Sequence, residues 1–116
     1  MSIKNLSQLK PTQEQEQHGG VTAVDPAAVE LLNFATPPSI EGLNARAVAL
    51  AALAVGFESA MVGGAPYLMG PLCAALKEVG VQPLFSFTER KSEEQQLPDG
   101  SVKKVSVFAH VAWVAV

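Results

Sequence analysis

Hydrophobic and polar positions follow two rhythms along this chain, and the switch from one to the other marks its elements. Between residues 40 and 55, Leu43, Ala47, Leu50 and Ala54 recur at helical spacing, with Ala51 and Leu53 widening the face and Val48 and Val55 extending it. Ser39 stands where an N-cap belongs and Gly56 where the helix stops, so the pattern predicts a largely buried helix. "ESAMVGG" (58–64) is a short apolar run bounded by glycines, as a buried parallel strand should be. A further helix is expected from Tyr67–Leu68 to its terminator Gly80, which leaves Pro71 in or just past the first turn. "QPLFSFTE" (82–89) is the next strand, and strand, helix, strand in this order implies a right-handed parallel crossover.

Local signals place the flanks. "SIKNLSQ" (2–8) is a short first strand. Thr12 with Gln15 three residues on opens a short polar helix through a capping box, and Gly19-Gly20 ends it. Asp25-Pro26 opens another, "PAAVELLN", and "FATPPS" is a rigid loop. At the far end "LPDGS" is a three-residue hairpin loop, Pro98 and Asp99 suiting a type I turn and Gly100 the left-handed position after it. That register sets Phe87 opposite Val111 and Phe85 opposite Trp113 on one apolar face. It sets Thr88 opposite His110, Arg90 opposite Phe108 and Ser92 opposite Ser106 on the other. The mixed charge of "ERKSEEQQ" guards an exposed arm, as do Lys103 and Lys104. The fold class is α/β: one domain over residues 1–116, a mostly parallel sheet ending in an antiparallel β-hairpin.

Composition narrows the function. With 48% apolar and 16% charged residues the chain is a globular domain, and a net charge of −3 argues against duplex nucleic acid as a partner. A small anion remains open, since it needs only a local patch. A single cysteine, Cys73, reads as an inert core thiol; no disulfide, metal site or cofactor is expected. Residues 47–76 hold one charge, Glu58, but Gly56, Gly63, Gly64, Pro66, Gly70 and Pro71 interrupt them, so no membrane span is expected. "MSIKNLSQLK" lacks the apolar run of a signal peptide, and the expected compartment is the cytoplasm.

Ligands of open α/β sheets sit at the carboxyl ends of parallel strands. There Asn5, Ser7 and Gln8 from the first strand would meet Gly63 and Gly64 from the second. Backbone N–H groups of Gly63, Gly64 and Ala65 at a helix N-terminus suit a phosphate. With no GxGxxG and no Walker lysine, the pair taken alone is a tight corner. Arg90 either clamps a phosphate or pairs with Glu89, Glu93 or Glu94. His110, in an apolar run opposite Thr88, is either a hydrogen-bonded structural residue or a proton donor. Tyr67 stacks on a base or staples the helix start, and His18 reads as solvated.

From "GGAPYLMGPLC" through "RKSEE" and "PDGSVKKVSVF" to "AHVAW", residues 63–113 resemble the carboxyl half of a family of small uncharacterised bacterial proteins. "NLS", "PTQEQ" and "GV…VDP…ELLNF" extend the likeness to the amino half. More distantly, the same carboxyl half resembles CRISPR-associated ring nucleases of type III systems, which are related to CARF sensor domains. That resemblance implies a Rossmann-like three-layer domain, a homodimer cradling a cyclic oligoadenylate, and metal-independent attack of a ribose 2′-OH on the adjacent phosphate. The matching positions are Gly63 and Gly64 as phosphate cradle, Arg90 for phosphorane charge, Ser92, and His110 as proton donor to the leaving oxygen. From the pattern of the small bacterial family the chain departs at Leu9, where a histidine is frequent, at Ala109, where a basic residue is frequent, and at Trp113, its final aromatic. Fewer titratable groups favour ligand binding over catalysis. Three functions are therefore in play: a ring-nuclease-like phosphodiesterase, a non-catalytic nucleotide sensor, or a partner-binding protein whose glycines only turn the chain.

Overall fold

β1 (Ser2–Leu6) opens the chain, and later strands are laid down on both sides of it. The computed structural model describes residues 2–116, with the backbone alone at Lys91, Val107 and Phe108. The elements that follow are α1 (Gln13–Gln17), β2 (Gly20–Val21), α2 (Pro26–Leu32), α3 (Ile40–Leu53), β3 (Ser59–Val62), α4 (Pro66–Glu78), β4 (Gln82–Gln96) and β5 (Val102–Ala115). They form a mixed α/β structure with strand order β2-β1-β3-β4-β5. The first four strands run parallel and β5 returns antiparallel to β4.

Short-range chemistry explains the helix starts. Thr12 Oγ1 accepts from the Gln15 N–H (3.1 Å) while Gln15 Oε1 accepts from the Thr12 N–H (3.0 Å), the reciprocal box expected for α1. Asp25 Oδ1 caps α2 by accepting from the Ala27 N–H (2.9 Å), and Ser39 Oγ caps α3 by accepting from the Gly42 N–H (3.0 Å). The Lys4 ammonium, 2.8 Å from Asp25 Oδ2, helps hold that carboxyl below the ordinary carboxylate range. α4 starts at Pro66, ahead of the expected Tyr67–Leu68, because proline at the first helical position forfeits no bond. Pro71 consequently lies inside the helix, where it cannot donate to the turn before it. β2 has two residues, too few for any periodicity to announce it.

One sheet face is covered by α2, α3 and α4 around Leu6, Leu32, Leu50, Leu68, Leu72 and Leu76. The other carries a smaller cluster of Ile3, Val21, Met61 and Leu84 with Trp113, and the short α1 packs there against β2 and β5. Among the described residues no helix is long and apolar enough to cross a membrane.

The hairpin turns as expected, with Gly100 at φ 86° and the Leu97 N–H donating to the Ser101 carbonyl at 2.8 Å. Thr88 pairs with His110, Arg90 with Phe108 and Ser92 with Ser106. The register then shifts between Phe87 and Thr88, so Phe87 faces Ala112 and Phe85 faces Val114, in place of the expected Val111 and Trp113. An extra residue in β5 reverses which side its later side chains take. Trp113 thereby joins the face of His110, their rings 4.4 Å apart. β3 pairs with β4 from Ser59↔Gln82 to Met61↔Leu84, and the remainder of the hairpin projects as an arm. The radius of gyration is accordingly 16.6 Å, against about 13 Å for a compact chain of this length.

Candidate functional site

β1 and β3 finish side by side at Leu6↔Val62, and the chain leaves each strand into the wall of one cavity of about 310 Å³. Ser7, Gln8 and Leu9 line it from β1, Gly63, Gly64 and Ala65 from β3, and Leu32 from the end of α2. Ser7, Gln8, Gly63, Gly64 and Ala65 are thus brought together as the strand order requires. Asn5 stands behind this wall. It is fully buried, and its Oδ1 accepts from the Ser7 N–H (3.0 Å) and Ser7 Oγ (2.7 Å) while Nδ2 donates to the Leu9 carbonyl (3.0 Å). Asn5 and Ser7 therefore fix the loop, a local bonding pattern these side chains favour.

Gly64 has φ 141°, a conformation that other residues rarely adopt, and a Cβ there would lie 3.4 Å from Leu32 Cδ2. The glycine pair both turns a tight corner and lines the cavity. Ala65, the N-cap of α4, makes no side-chain cap, in contrast to Thr12, Asp25 and Ser39 at the other helices. Pro66 has no N–H and the Leu68 N–H donates to the Ala65 carbonyl (3.0 Å), so what this helix start offers an acceptor is the positive end of its dipole beside the Gly63–Gly64 backbone. No residue lining the cavity carries a charge. Gln8 lies at its edge, with Nε2 donating to Asn33 Oδ1 at 2.9 Å.

Tyr67 follows Ala65 by two residues but opens on a neighbouring cavity of about 560 Å³, with Phe34, Pro37, Pro38 and Leu43. Its ring meets Phe34 edge-on, centroids 5.4 Å apart.

The remaining candidates lie elsewhere. Thr88, Arg90 and Ser92 are exposed on β4, and none of them lines the 310 Å³ cavity. His110 is 5% exposed on the α1 face, its Nδ1 bonded to Ser86 Oγ, which also accepts from Gln15 Nε2 at 3.2 Å. His110 Nε2 is buried and has no hydrogen-bond partner among the described residues. The His18 ring lies 5.1 Å from that of His110, and Trp113 Nε1 donates to the His18 carbonyl at 3.3 Å. Burial first, and the neighbouring His18 second, pull the His110 imidazole below its ordinary 6.5, against a smaller opposing pull from Glu14. Through Ser86, which also bonds Gln15, the buried imidazole links the sheet to α1. Sequence reasoning missed Gln15, Ser86 and Trp113 as its partners, because neither the register shift that sets Trp113 opposite Ser86 nor the docking of α1 that brings Gln15 has a local signature. Cys73 is half-buried against the larger core, and burial pushes its thiol up, as an inert side chain requires. Among the described residues no group of three or more His, Cys, Asp or Glu is placed to hold a metal ion.

Compared with known families, residues 1–114 match the Uncharacterized protein MJ1673 family. No curated protein and no solved structure matches the chain.

Proposed function

The chain belongs to that family, and we propose that it binds the phosphate of a nucleotide-type anion where β1 and β3 end, as a non-catalytic sensor. The observation that carries this reading is the cavity walled by Gly63, Gly64 and Ala65 at the uncapped start of α4. Three features support it. The order β2-β1-β3-β4-β5 reverses direction between β1 and β3, the point where doubly wound, Rossmann-like sheets take their ligands. Backbone N–H groups and a helix dipole favour an anion, and no carboxylate lines the wall to oppose one. A volume of about 310 Å³ falls at the small end of ligand sites and suits the sugar-phosphate part of a nucleotide. A cyclic oligoadenylate would then engage one unit per copy, across a homodimer.

Binding without cleavage is favoured by the same geometry. The guanidinium meant to stabilise phosphorane charge is on the exposed arm. The imidazole meant to donate a proton is buried, neutral and bonded to Ser86 on the α1 face. Calorimetric titration with AMP and with cyclic tetra-adenylate tests the reading, with chromatography of the mixtures. Saturable binding with no product is expected, weakened about tenfold in Gln8→Glu, a loss of about 1.4 kcal/mol, which sets a carboxylate at the cavity edge. Absence of binding, or release of linear adenylates, would overturn it.

A further inference from the structure

We infer that the 560 Å³ cavity beside Tyr67 is the nucleobase subsite of the same ligand, an inference that rests on the phosphate reading above. Both cavities are built on the same two stretches of chain. Leu32 lines the first and Phe34 the second; Ala65 lines the first and Tyr67 the second. Two residues span at most about 7 Å of chain, so the linings of the two cavities neighbour each other along both stretches. Asn33, between Leu32 and Phe34, accepts from Gln8 Nε2 at 2.9 Å, which ties Gln8 of the first cavity to the chain that joins the two.

The chemistry of the second cavity suits a planar base. Pro37, Pro38 and Leu43 supply rigid apolar walls, and Phe34 and Tyr67 meet edge-on there. The Arg46 guanidinium covers the Phe34 ring at 4.2 Å and donates to the carbonyls of Leu31 and Asn33, which fixes that ring. Tyr67, at the second position of α4, is half-exposed and has a ring surface to offer. Aromatic faces of this kind bind bases through stacking.

The test compares AMP, ribose 5-phosphate and adenosine on the parent, Tyr67→Ala and Tyr67→Phe, by calorimetry, with thermal unfolding to confirm that each variant is folded. The parent should bind AMP at least tenfold tighter than ribose 5-phosphate. Tyr67→Ala should abolish that preference while leaving ribose 5-phosphate affinity within about twofold, and Tyr67→Phe should keep it. Equal affinity of the parent for AMP and ribose 5-phosphate, or an unchanged preference in Tyr67→Ala, overturns the base subsite and leaves the phosphate site standing. Binding of adenosine with no contribution from phosphate overturns the phosphate site instead. Absence of binding to all three overturns both.

Discussion

Acid should weaken this protein through His110, and the structure fixes both the sign and the ceiling of the effect. Ser86 Oγ accepts from Gln15 Nε2 and is bonded to His110 Nδ1, while His110 Nε2 is buried without a hydrogen-bond partner among the described residues. A second proton would place a charge at 5% exposure beside His18, with Glu14 as the opposing influence. The unfolded chain takes that proton near 6.5 and the folded chain only at lower pH. Between those two values the unfolded state binds more protons, so stability rises with pH and is lost as pH falls from 6.5 toward the folded value. One proton caps the slope at about 1.4 kcal/mol per pH unit, which for a domain of this size lowers Tm by about 5 °C per unit. Calorimetric melts from pH 7.5 to 5 on the parent and His110→Phe isolate the term, since phenylalanine keeps the contact with Trp113 and removes the titrating nitrogens. The parent should lose Tm faster than the variant, and the gap should stop growing below the folded value. Parallel curves for the two proteins, or a parent that gains stability toward pH 5, would refute the reasoning.

Two further substitutions probe the frame around the cavity. Leu72→Ala, at a fully buried position of α4, should cost about 2–5 kcal/mol in urea unfolding. Gly64→Ala should cost about 1–3 kcal/mol in the same assay and weaken AMP binding, because φ 141° is a conformation alanine avoids.

What the sequence disclosed follows the range of the forces involved. Caps at Thr12, Asp25 and Ser39 depend on residues two or three apart, and each formed as expected. The Gly100 turn is equally local, and it fixed the hairpin register from Gln96↔Val102 down to Thr88↔His110. The cavity wall of Ser7, Gln8 and Gly63–Ala65 was legible because parallel pairing of β1 and β3 alone brings those strand ends together. Beyond that, long-range packing decides. The shift past Thr88 moved Trp113 onto the face of His110, and the docking of α1 brought Gln15 and His18 to the same place. Both depend on how separate elements pack, which no short window of sequence contains. His110 and Arg90 accordingly do not join the glycines.

Amide-resolved NMR during a titration with AMP tests phosphate capture at the start of α4 most directly. The account predicts saturable shifts concentrated at the N–H groups of Gly63, Gly64, Ala65 and Tyr67, with those of Arg90 and His110 unmoved. Shifts centred on Arg90 and His110, or none at residues 63–67, would contradict it.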